Sequence, residues 1–135
     1  MSASGPSLDA LSWTTALDFL REAEAVTADI MPRMATHAAY YAMFHAARAV
    51  LVQVDGLGAP TKHHAVVGRF GQLAKLANDA QLMAAGRLIN GAPNDRLRSD
   101  YNTGRTPLPS DAARAVQDAR TFLDICARHY GLPAP

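Results

Sequence analysis

The sequence predicts an all-α fold, an up-and-down helical bundle of four to five helices, on three observations. Alanine is abundant and runs of β-branched residues are scarce, a balance that favours helix over strand. Apolar residues recur three and four positions apart rather than in alternation, the spacing of a helix with one buried face. Gly- and Pro-containing stretches fall between these periodic segments, where helices would stop.

Taken in order, the first helix is expected from about Leu8 to Ile30, with Leu11, Ala16, Phe19, Leu20, Ala23 and Val26 as its apolar stripe. Pro32 opens a second helix, because proline suits a first turn better than an interior. That helix should reach about Val54. Its alanines, among them Ala35, Ala38, Ala39, Ala42, Ala46, Ala47 and Ala49, let neighbouring axes approach closely and place it at the centre of the bundle. Asp55 to Pro60 reads as a stop and a loop. Thr61 is the expected N-cap of a third helix carrying Val66, Val67, Phe70, Leu73 and Leu76, in which Gly68 and Gly71 are read as relieving crowding. Asn78-Asp79 restarts the chain into a fourth helix. Asn90-Gly91-Ala92-Pro93 should end or kink it, with a short helical piece to about Tyr101 beyond. A loop over Thr103 to Pro109 precedes the last helix, capped by Ser110 or Asp111 and closed by Gly131 and Pro133.

A chain of 135 residues suits one domain, expected over 1–135 with tails at 1–7 and 132–135. About half the residues are apolar, enough for one modest core. The net charge of +1 is unlike the clear basic excess of a dedicated duplex-DNA binder, although an average of this kind can hide local basic patches. Cys126 is the single cysteine, so no internal disulfide can form, which fits a reducing compartment. No apolar run is long enough to span a membrane, and the first residues have no signal-peptide pattern. A cytoplasmic protein that needs no membrane is expected.

The chemistry-bearing residues fall in two places. On the second helix, His37, Tyr41 and His45 are four apart and Arg48 follows, so the four share a face. Tyr40, Phe44 and Arg48 form the adjoining row. The plain reading of this face is a core helix with aromatic packing and a few satisfied polar groups. The functional one is a binding surface. In the second place, Arg96, Arg98, Asp100, Tyr101 and Arg105 crowd one stretch. Arginines beside a tyrosine can grip phosphate and stack on a base, with Asp100 steadying a guanidinium. The same composition also suits a solvated, salt-bridged helix end. No metal site and no cofactor are expected. His37 and His45 lie roughly 12 Å apart along a helix axis, His63 and His64 point about 100° apart, and no His-Glu-x-x-His, cysteine cluster, nucleophile elbow or phosphate loop is present.

Three segments then line up with a known family. Tyr40-Tyr41-Ala42-Met43-Phe44-His45-Ala46-Ala47-Arg48-Ala49-Val50-Leu51 closely resembles the Tyr-Tyr-Ala-x-Phe-x-Ala-Ala-x-Ala-Leu-Leu signature of a prokaryotic branch of HEPN (higher eukaryote and prokaryote nucleotide-binding) domains. Thr61-Lys62-His63-His64 is similar to that branch's Ser-Lys-x-His entry to the third helix. Arg96-Leu97-Arg98-Ser99-Asp100-Tyr101 is similar to its Arg-x-x-x-Asp-Tyr element. The resemblance covers about Ala35 to Ala127. It implies a helical bundle, commonly a homodimer, and often a metal-independent ribonuclease toxin paired with a nucleotidyltransferase antitoxin. The family's usual active motif is Arg, four to six residues, then His, and no histidine here follows an arginine at that spacing. Where four residues have passed after Arg96 stands Tyr101, whose ordinary pKa of about 10 makes it a poor base near neutrality.

The resemblance leaves two readings. One is a ribonuclease toxin, with Arg96, Asp100, Tyr101, His45 and His64 as catalytic candidates. The other is a non-catalytic or weakly active protein that binds RNA, a nucleotide or a partner. Tyr41, Arg48, Lys62, Arg98 and Arg105 are the binding candidates in either case. His45 or His64 is expected to reach the Arg96–Tyr101 segment through space and supply the missing imidazole.

Overall fold

The computed structural model describes residues 8–97 and 107–135, and the side chains of 9–92 and 107–135. Among the described residues five helices follow one another: α1 (Leu8–Ala25), α2 (Pro32–Asp55), α3 (His63–Ala77), α4 (Ala80–Leu97) and α5 (Pro109–Tyr130), with a 3₁₀ turn at Gly56–Gly58. Among the described residues there is no strand.

Helix α2 sits in the middle and touches every other helix, most extensively α1 and α5. Its small residues explain this. Ala35, Ala39, Ala42, Ala46, Ala47 and Ala49 are fully buried, and the distance between packed helices is set by the side chains at their contact. Larger groups fill the space around this spine: Trp13 and Leu20 from α1, Val50 and Leu51 from α2, Phe70 from α3, and Phe122 and Leu123 from α5. Phe70 and Phe122 meet with ring centroids 5.1 Å apart and tie α3 to α5. Burying one such side chain contributes about 1.5–3 kcal/mol.

The direction of α3 decides where the site lies. Thr61 and His63 stand against Tyr40, Tyr41 and Phe44 in the first half of α2, whereas Arg69 reaches Asp55 at the end of α2. The connection over residues 56–62 therefore runs back along α2 before α3 begins.

Several boundaries differ from the sequence reading. Helix α1 stops at Ala25, and residues 26–31 turn, with the Ile30 and Met31 N–H groups donating to the Thr27 carbonyl. The β-branched Val26-Thr27 pair at this point lowers helix propensity. Helix α4 is continuous through Gly91 and Pro93 instead of breaking there. Leu82, Ala85 and Ile89 are buried and Ala92 packs against the core, so tertiary burial overrides the local cost of about 1 kcal/mol for glycine and about 3 kcal/mol for proline. Neither Thr61 nor Ser110 nor Asp111 caps a helix. Lys62 and Leu108 occupy the N-cap positions of α3 and α5 without a side-chain cap, and Pro109 presets the first turn of α5. Asp79 is the true cap of α4, its Oδ1 accepting the N–H of Gln81 at 2.9 Å and of Leu82 at 3.1 Å. Asn78 ends α3 in the left-handed region at φ 52°. Gly68 and Gly71 do not relieve crowding, since a Cβ at either would meet nothing within 4 Å. The last residues, expected as a loose tail, have a tether: the Trp13 indole N–H donates to the Pro133 carbonyl at 2.9 Å.

Candidate functional site

The polar and aromatic residues of α2 face two neighbours. Toward α1, Phe19 packs on Tyr41 at 5.5 Å and on His45 at 5.6 Å between ring centroids. Within α2, Tyr40 meets Tyr41 edge-on at 5.2 Å and lies 6.3 Å from Phe44, and Phe44 meets His45 edge-on at 5.3 Å. The five rings thus form a closed circuit, Phe19–Tyr41–Tyr40–Phe44–His45. Tyr40 is buried, Phe19, Phe44 and His45 are half-buried, and Tyr41 presents 37 % of its surface to solvent.

Toward α3, the same circuit forms one wall of a cleft of about 220 Å³, lined by Tyr40, Tyr41, Phe44, Thr61 and His63. The return of the chain along α2 is what brings Thr61 and His63 here. His64 stands beside His63, with ring centroids 4.3 Å apart, and is exposed, as is Lys62.

His45 is held below the ordinary histidine range, first by burial and then by the nearby Arg48 guanidinium. It is therefore neutral at pH 7. The Nε of Arg48 is buried and has no hydrogen-bond partner among the described residues.

The sequence candidates are distributed as follows. Tyr41 borders the cleft, His45 and Arg48 lie next to it along α2, and Lys62 and His64 flank His63. His45 and His64 have different ring neighbours, Phe19 and Phe44 for the first and His63 for the second. Arg96 is in α4, and its side chain lies outside the described residues, as do Arg98, Asp100, Tyr101 and Arg105 with the convergence expected of them. Thr61 and His63 were read as a cap and a helix entry, and Phe19 as ordinary core. Nothing in the spacing within one helix signals a contact with another. Among the described residues no three His, Cys, Asp or Glu side chains are grouped to hold a metal ion, and no described helix is long and apolar enough to cross a membrane.

An aromatic wall with a threonine hydroxyl, an imidazole and an adjacent ammonium can stack a planar ring and hydrogen-bond its edge. Comparison with known proteins bears on what that ring belongs to. The model of the HEPN domain matches residues 10–129, nearly the whole described bundle. The chain belongs to the HEPN family. A HEPN-type relative in Methanocaldococcus jannaschii, which bears the name "putative toxin", is 34% identical over 93 residues. The match takes in 68% of this chain and 66% of that protein, so the chain spans about two thirds of its relative's length. In this HEPN chain the cleft is formed by two of the three segments that carry the family resemblance, the Tyr-Tyr-Ala-x-Phe stretch of α2 and the entry to α3.

Proposed function

We propose that this HEPN protein acts in its toxin–antitoxin-type system by binding RNA, a nucleotide or a partner protein, with little or no catalysis of its own. The observation that carries this reading is the cleft between α2 and the start of α3. It combines stacking surfaces, hydrogen-bonding groups and a neighbouring cation, whereas the Arg-x4–6-His motif of the ribonucleases is missing from the chain. The whole chain, 1–135, is read as one HEPN domain. It acts as a homodimer in the cytoplasm, with a nucleotidyltransferase as the antitoxin partner. The exposed Ile30, Met31 and Met34 around the α1–α2 turn, at 75%, 49% and 57%, favour association.

The test is incubation of the pure protein with defined RNAs, with and without a metal chelator, read for both retention and cleavage. Retention without cleavage is the expected result. Chelator-resistant cleavage abolished by His45→Ala would favour the second reading, a metal-independent ribonuclease. That reading has one observation behind it: a neutral imidazole at His45 can act as a general base, and the neighbouring Arg48 guanidinium can hold negative charge. Light scattering at micromolar concentrations tests the dimer, and a monomeric mass throughout would reject it.

A further inference from the structure

The net charge of +1 hides a segregation of charge along the chain. Between Ile30 and Asn78 there are five Lys and Arg residues and one carboxylate, Asp55. Arg69 engages that carboxylate at both oxygens, Nη2 to Oδ1 at 2.8 Å and Nε to Oδ2 at 2.9 Å. Four of the five histidines lie in the same stretch. Helix α1 is the reverse, with Asp9, Asp18, Glu22 and Glu24 against Arg21 alone. The α2–α3 layer is thus basic, and Lys62 has no carboxylate partner among the described residues. A surface of this kind attracts polyanions.

The aromatic wall decides which polyanion fits. A duplex hides the faces of its bases, and a run of acidic residues has no such faces to offer. Tyr41 is exposed at the cleft yet braced from behind by Phe19 and Tyr40, so ordering it on binding costs little. At about 220 Å³ the cleft has room for one planar heterocycle and none for a folded segment of protein. Thr61 and His63 line the cleft, and a hydroxyl and an imidazole are groups that hydrogen-bond the edge of such a ring. We propose that this cleft takes one unpaired nucleobase of a single-stranded nucleic acid, stacked on Tyr41, with the adjoining phosphates against Lys62 and His64. The proposal rests on the reading that the protein binds RNA or a nucleotide, and it names where and in what form.

The experiment is fluorescence anisotropy of the full chain with a fluorescein-labelled 12-mer oligoadenylate and with a blunt 12-base-pair RNA duplex. The single strand binds at least tenfold tighter. Tyr41→Ala weakens it about tenfold, within the range for loss of one base–aromatic stack, while Tyr41→Phe keeps the affinity. Lys62→Gln flattens the salt dependence by roughly 0.7 in log–log slope, as loss of one phosphate contact requires. If wild-type protein binds neither oligonucleotide, this proposal and the binding reading both fail. Equal affinity for strand and duplex overturns the proposal alone, as does unchanged affinity in a Tyr41→Ala variant whose circular dichroism is native. Should Tyr41→Ala unfold, Thr61→Val with Lys62→Gln takes its place, and unchanged affinity there is equally fatal. Preference for a polyglutamate peptide over the single strand also overturns it.

Discussion

The His45 imidazole is stacked parallel to the Phe19 ring, with 3° between the ring planes and centroids 5.6 Å apart, and this contact joins α1 to α2 on the face that leads to the cleft. Its consequence for pH follows from burial. Unfolded His45 titrates near 6.5, and the folded group titrates lower. The unfolded chain therefore binds the proton first on acidification. Stability contributed by the neutral ring is full above about pH 6.5 and is lost as the pH falls through the folded value. Urea melts at pH 7.5 and 5.5 should show lower stability at the acid end, and His45→Gln should reduce that difference. A His45 resonance titrating at or above 6.5 by NMR would contradict the account.

Trp13 is the single tryptophan, is 2% exposed, and donates to the Pro133 carbonyl. Truncation after Gly131 removes that acceptor and the Leu132 side chain that packs on the core. An unmet buried donor costs about 1–3 kcal/mol. The truncated protein should melt earlier, and its tryptophan emission should shift to the red as water reaches the indole. Unchanged emission and melting would show that the tether contributes nothing.

The alanine spine forbids growth. Ala46 is fully buried against neighbouring helices, so Ala46→Leu forces them apart at a cost of about 1–3 kcal/mol or more. Gly68, with open space at its Cβ position, is the control: Gly68→Ala should stabilise by roughly 0.4–1 kcal/mol. Equal effects of the two substitutions on denaturant midpoints would refute the packing argument.

Cys126 is buried, and its thiol is pushed well above the ordinary range by that burial. It should be silent to thiol reagents in the native protein and react at a rate set by opening of the bundle. Rapid labelling under native conditions would place it at the surface.

Much of this architecture was legible in the sequence, and the reason is local. The alanines of α2, the buried stripe of α5 and the Gly131 stop each announce themselves within a few residues. What was not legible depends on contacts between helices. Pro93 reads as a breaker until Leu82, Ala85 and Ile89 are seen to bury the helix it interrupts. Thr61 reads as a cap until the return of the chain along α2 sets it against Tyr41. Phe19 reads as core, and only the structure shows it stacked on His45. The row Tyr41, His45, Arg48 followed from spacings of four and three. Its pairing with the entry to α3 did not, because no pattern within one helix encodes the direction of the next.

That direction also bears on the order in which the molecule assembles. Helices α1 and α2 are joined by a six-residue turn over 26–31 and lie antiparallel, so their contacts close short loops. Helix α3 follows a connection that doubles back along α2, so it cannot zip onto α2 from the connection outward. It can dock only after residues 56–62 have traced back along a helix already formed. Loop-closure entropy thus falls late on α3 and early on the α1–α2 hairpin. Substitutions at Leu20 or Ala46 should slow refolding, whereas substitutions at Phe70 should mainly hasten unfolding.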